Sequence, residues 1–220
     1  RRASELLDAP ALIGEILFWF ALVAFAVVVG AYVAKVVVHP MAIRAEAGHP
    51  VRLAFLPTPG ITLVLLAAAG QDLVPRLSEV LWWAGVGTQL PSTLFVLSAW
   101  LGGRHFRWAH ITPAWFVPVV GLSAAPLAGA RFAPDGISWF FLGTGLIFWM
   151  ALLPLVLGRL VFHDEPLPAK LAPMLTILIA PPAVILLAYL RLVPDAFATP
   201  VPQAMFGVAV FFALLVVTQA

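Results

Sequence analysis

Seven stretches of this chain are each long and apolar enough to cross a lipid bilayer, and almost no charge falls inside them. A helical span needs roughly 20 mostly apolar residues. The stretches run at about 13–38, 53–69, 79–101, 113–130, 137–160, 171–190 and 204–219. The second and fourth are short, and the seventh is expected to be incomplete. The joining segments are brief and hold nearly all the charge. Hydrophobic residues make up 63% of the chain and charged residues 10%, against about 45–50% and about 25% in an ordinary soluble domain. A soluble fold of this size could not hide so much apolar surface, whereas lipid as solvent removes the need. A closed barrel requires alternating strands of about ten residues. Runs such as Ala21-Leu22-Val23-Ala24-Phe25-Ala26-Val27-Val28-Val29 do not alternate, and helices satisfy their own backbone in lipid. The predicted fold class is therefore all-α integral membrane, with residues 1–220 forming one transmembrane domain.

Several chemistries drop out. The chain has no cysteine, which excludes disulfides, thiolate metal sites and cysteine nucleophiles. A net charge of +2, with no dense basic patch, gives no reason to expect nucleic-acid binding. His105 and His110 lie near His163-Asp164-Glu165 on one predicted side and could imitate a metal site. However, no His-Glu-x-x-His occurs, and five histidines are too few for a multi-histidine diiron centre. They read as interfacial loop residues. Ser92, Ser98 and Ser123 have no evident base partner. Gly143-Thr144-Gly145 lacks the strand context of a dinucleotide site. Neither an enzyme nor a cofactor is expected.

Lysine and arginine set orientation, being enriched on the cytoplasmic side. One side holds Lys35, Arg44, Arg52, Arg104, Arg107, Arg159 and Lys170, and the other holds Arg1, Arg2, Arg76, Arg131 and Arg191, seven against five. This places residue 1 outside and the segments 39–52, 102–112 and 159–170 in the cytoplasm, together with all five histidines. The chain opens on Arg1 and Arg2 and closes directly after an apolar run, so both ends read as cuts in a longer polypeptide.

A repeat runs beneath this pattern. Three spans open on proline-rich segments: Phe55-Leu56-Pro57-Thr58-Pro59-Gly60, Thr112-Pro113-Ala114-Trp115-Phe116-Val117-Pro118, and Leu167-Pro168-Ala169-Lys170-Leu171-Ala172-Pro173. Pro57 to Pro113 is 56 residues and Pro113 to Pro168 is 55. One period covers two spans, so the unit is a helical hairpin with its proline-rich helix first. An inner and an outer helix per hairpin, arranged in a ring, is the expected plan. Pro118, Pro126, Pro154 and the pair Pro181-Pro182 sit well inside spans. Each frees a carbonyl and bends the axis, so such helices tend to face protein or a wet cavity. The centres of the second to seventh spans carry no acidic or basic residue. Carriers coupled to protons or sodium usually need an ionisable group at depth. A passive pathway lined by uncharged groups fits better, with backbone dipoles at kinks and basic residues at the mouths favouring anions.

The sequence resembles the tellurite-resistance / C4-dicarboxylate transporter family, which includes the plant slow anion channels. The resemblance rests on His49-Pro50-Val51-Arg52-Leu53-Ala54-Phe55-Leu56-Pro57, on Thr112 to Gly121, and on Leu171-Ala172-Pro173 through Ile179-Ala180-Pro181-Pro182-Ala183-Val184 to Ala188-Tyr189-Leu190. It implies ten helices in five tandem hairpins, the first helix of each bent by proline and lining a central pore. It also implies trimers with one pore per subunit that pass small anions such as chloride, nitrate or carboxylates. Some members are linked to tellurite or sulfite. The seven spans would be the family's second to eighth helices. The family's gating phenylalanine lies on the ninth, so no residue here takes that role. By position, Phe55, Pro57, Phe116, Pro118, Gly121, Pro181 and Pro182 are the expected pore-facing or pore-shaping residues. The expected setting is a bacterial inner membrane, and the alternative activity is proton-coupled carriage of a C4-dicarboxylate or an oxyanion.

Overall fold

A computed structural model describes residues 11–39, 41, 48–102, 106–162 and 169–218. Among the expectations above, those on Arg1, Arg2, Arg44, Arg104, His105, His163-Asp164-Glu165 and Pro168 fall outside these residues. The described residues are helical, with no strand among them. Seven spans are long and apolar enough to cross a membrane: Leu12–Val38, Val51–Gly70, Pro75–Gly102, Pro113–Phe132, Asp135–Phe162, Leu171–Leu192 and Pro200–Val217.

The last six pair as three hairpins, second with third, fourth with fifth and sixth with seventh. In every hairpin the first helix is the more buried one. The buried shares of an 18-residue stretch are 44% against 33%, 78% against 33%, and 28% against 17%. The second and sixth spans both pack on the fourth. The inner helices thus form an arc with the fourth span at its middle, which explains why that span is buried most. The first span is an outlier, only 6% buried and resting on the second.

The proline-rich segments are where the inner spans depart from a regular helix. The second opens as the short turn Pro50–Leu53, capped by His49, whose Nδ1 accepts from the backbone N–H groups of Val51 and Arg52. Tight turns follow, in which Phe55, Leu56 and Thr58 each donate three residues back, and the helix proper starts at Thr58. The fourth has 3₁₀ turns at Trp108–His110 and Pro113–Trp115, then helical pieces Phe116–Ala124 and Pro126–Phe132. The sixth runs as a 3₁₀ helix over Ala169–Ile179 and becomes α-helical at Ala180, with Pro181 and Pro182 in its first turn. These two prolines therefore mark a change of helix type, at the place in a helix where a missing N–H costs least. The outer helices Pro75–Gly102 and Asp135–Phe162 are continuous for 28 residues each, despite Pro91 and Pro154 inside them. Pro154 thus leaves its span one continuous helix.

Two cores hold the arc together. One joins Val64, Ala67, Trp82, Val86, Leu122 and Phe141, and the other joins Phe116, Val119, Trp149, Val156, Leu178 and Phe212. The opening of the fourth span is clamped to the end of the outer helix by Trp100 stacked on Trp115, with ring centroids 4.1 Å apart.

Candidate functional site

The fourth span is held by donors from its neighbour. Trp82 Nε1 donates to Ala125 O at 2.8 Å, Gln89 Nε2 donates to Pro118 O at 3.0 Å, and Thr93 Oγ1 donates to the same carbonyl at 3.1 Å. Positions 82, 89 and 93 lie seven and eleven residues along one helix and therefore on one face. All three side chains are essentially fully buried. Their acceptors are the carbonyls of Pro118 and of Ala125, the residue before Pro126. Hydrogen bonds of this kind between helices hold the fourth span against the third in a bilayer.

Close approach is set by small residues on facing helices. A Cβ on Gly121 would overlap Gln89 Nε2 and Ile61 Cγ1, and one on Gly60 would stand 2.8 Å from the Gln89 backbone nitrogen. A Cβ on Gly129 would come within 2.7 Å of both Ser138 Oγ and Trp82 Cζ2, and one on Gly145 would overlap Ser123 Oγ. Gly85 of the outer helix approaches Val64 in the same way, at 2.8 Å.

The seven residues singled out by sequence are spread over three inner spans. Pro57, Phe116 and Pro118 are fully buried, and Gly121, Pro181 and Pro182 are buried. Phe116 packs in the second core, Pro118 turns its carbonyl to Gln89 and Thr93, and Gly121 faces Gln89 and Ile61. Phe55 is half-buried and lines a cleft of about 480 Å³, shared with Tyr32 of the first span and with Arg52, Leu56, Thr58 and Thr62 of the second. On the fourth span, the half-buried Val117, Val120, Leu127 and Ala130 interrupt an otherwise buried surface. Sequence reading missed these, and it missed Trp82, Gln89 and Thr93. The spacing of the last three along an otherwise apolar helix was the available signal.

Charge sits at the ends. Among the described residues, Arg52, Arg131, Lys170 and Arg191 carry all the charge of the three inner spans. Arg131 Nη1 donates to Asp72 Oδ1 at 2.7 Å, linking the far ends of the fourth and second spans through two well-exposed side chains. No group of three or more histidine, aspartate or glutamate side chains that could hold a metal occurs among the described residues. His110 Nδ1 instead accepts from the backbone N–H of Arg107.

The sequence matches a known group of membrane proteins. The family described as voltage-dependent anion channel, SLAC1, matches residues 4–220. An uncharacterized transporter of Methanocaldococcus jannaschii is 28% identical over 208 residues, which cover 88% of this chain and 60% of that protein. The S-type anion channel SLAH2 of Arabidopsis thaliana is 27% identical over 192 residues, covering 86% of this chain and 37% of the plant protein. The tellurite resistance protein TehA homolog of Haemophilus influenzae is 32% identical over 154 residues, covering 68% of this chain and 45% of that protein. The chain therefore spans between 37% and 60% of the length of these three relatives. With the family match running from end to end over tandem hairpins of broken and continuous helices, this integral membrane protein belongs to the SLAC1 family of voltage-dependent anion channels.

Proposed function

We propose that the protein passes small anions, such as chloride, nitrate or carboxylates, passively along a pathway bounded by its three broken inner spans. The observation that carries this reading is the placement of charge. The inner spans are uncharged at depth and basic at their ends, at Arg52, Lys170 and Arg191, with Arg131 paired to Asp72. Positive mouths draw anions in, and an uncharged interior lets them leave. The helical segments starting at Thr58 and Phe116 add the positive ends of their dipoles inside the span. An S-type anion channel among the relatives supports the same reading.

Pro57, Pro118, Gly121, Pro181 and Pro182 act in this reading by shaping the pathway, and Phe116 by packing the helix that carries them. Phe55, Val117, Val120 and Leu127 are the side chains we place along it. We further place residues 1–220 in one transmembrane domain that works as a homotrimer in a bacterial inner membrane, without a catalytic role. A second reading, carriage of an oxyanion such as tellurite or of a C4-dicarboxylate with protons, is favoured by the tellurite-resistance relative.

A voltage-clamp recording of the complete gene product in a planar bilayer, under a chloride gradient, separates the two. A reversal potential near the chloride equilibrium value establishes passive conduction. No current, with proton-driven uptake of labelled dicarboxylate, establishes the carrier. Replacing Pro181 and Pro182 together by alanine is expected to change chloride conductance, because the change of helix type at Ala180 loses its cause. Wild-type flux in a well-folded double variant counts against a pore role for that pair.

A further inference from the structure

We propose that Gln89 is a positioning residue for the pathway. Its amide reaches from the outer helix Pro75–Gly102 into the seam between the second and fourth spans and, bonded to Pro118 O, sets the spacing of the two inner helices. Only the electrical part of the test rests on the anion reading.

Burying an amide is costly unless its hydrogen bonds are replaced. Gln89 is completely buried, within a helix whose function as a plain lipid-facing strut would be served by leucine. Its Nε2 spends both donors in one direction, on Pro118 O at 3.0 Å and on Thr93 Oγ1 at 3.2 Å. Thr93 passes its own proton to Pro118 O at 3.1 Å. One carbonyl of the fourth span thus takes two side-chain donors from the third.

The other half of the amide faces the other inner helix. Gln89 Oε1 has no hydrogen-bond partner, and a Cβ on Gly60 would lie 2.9 Å from it. Gly60 on the second span and Gly121 on the fourth therefore form a socket around one side chain. Each would collide with it if it carried even a methyl group. An amide contacting two neighbouring inner helices at once, and bonded to a backbone carbonyl of one, fixes their relation. The nearest charged residues in sequence on the three helices concerned are at their ends: Arg52, Arg76 and Glu79, and Arg131.

The test exploits what a carboxyl group can and cannot donate. In Gln89→Glu the protonated carboxyl keeps the amide's shape and one donor for Pro118 O, whereas the carboxylate can only accept. Burial beside a carbonyl favours the neutral form. Chloride conductance of Gln89→Glu should therefore be near wild type at acid pH and fall roughly tenfold as the group ionises above the usual carboxylate range, where lost donation and repulsion act together. Wild type should be flat across this transition. Gln89→Leu should alter unit conductance at every pH. Thr93→Val, which removes one donor and leaves Gln89 in place, is the milder variant for the case where the others fail to fold, and should alter it in the same direction. A pH-flat Gln89→Glu at wild-type conductance, or unchanged conductance in well-folded Thr93→Val, overturns the proposal.

If the wild type passes no anion, the anion reading fails while the positioning claim is still decided by structure. The chain has no native cysteine, and Gly87 and Gly143, on two outer helices, have open space around them. Spin labels at cysteines placed there should report a pH-dependent distance change in Gln89→Glu and none in wild type. Identical distance distributions in both, at all pH values, reject the positioning role.

Discussion

The first and fourth spans are both apolar helices crossing the same membrane, yet their burial runs opposite to their hydropathy. Leu12–Val38 has a mean hydropathy of 2.6 and is 6% buried, whereas Pro113–Phe132 has a mean hydropathy of 1.4 and is 78% buried. In water the more apolar helix would be the core. In lipid no hydrophobic force drives one helix onto another, because the tails are as apolar as leucine. Association falls to close packing and hydrogen bonding, so glycine, serine, threonine and glutamine mark the interior. The first span leaves Leu17, Phe20, Val23 and Val27 exposed. The fourth carries Gly121, Ser123 and Gly129, which bring its backbone against neighbouring helices.

The sharpest way to break this comparison is to make one change in both helices. Gly121→Val should destabilise by about 1–3 kcal/mol or more, because its Cβ has nowhere to go, whereas Gly30→Val should change nothing measurable, since nothing lies within 4 Å. Thermal unfolding in a fixed detergent compares them, and equal shifts would remove the distinction between the spans. Trp82→Phe, which takes a buried donor from Ala125 O at 2.8 Å, should cost about 1–2 kcal/mol. Trp19→Phe on the exposed face of the first span should leave the melting temperature where it is. The smallest effect is expected at the edge of the fourth span. Asp72→Asn breaks an ion pair whose side chains are 60% and 46% exposed, and should cost between zero and about 1 kcal/mol. Most of that should vanish in high salt, so a salt-independent loss would mean that the pair is more shielded than its exposure indicates.

Much of this architecture is legible in the chain. Seven spans follow from run length, and the order within each hairpin follows from the spacing of Pro57, Pro113 and Pro168. Proline alone misleads as a marker of breaks. Pro91, Pro118 and Pro154 sit inside continuous helices, whereas Pro126 follows an interruption at Ala125. Which proline marks a break depends on contacts with other helices, which no local pattern contains. The candidate site is less legible for a related reason. In an all-apolar segment, periodicity cannot separate a side chain packed on a helix from one turned to a pathway. Phe116 and Val117 read alike in sequence, yet one is wholly buried and the other half-exposed. Gln89 acquires its meaning only where three helices meet.

The sixth span has a further property, in the dimension along the membrane normal. Eleven residues, Ala169–Ile179, run as a 3₁₀ helix. That form rises about 2.0 Å per residue against about 1.5 Å for an α-helix, so the segment reaches about 5 Å further than an α-helix of the same residues would. That difference is comparable to the few ångströms by which cellular membranes differ in hydrocarbon thickness. The inner arc thus has one member that covers more depth per residue than its neighbours.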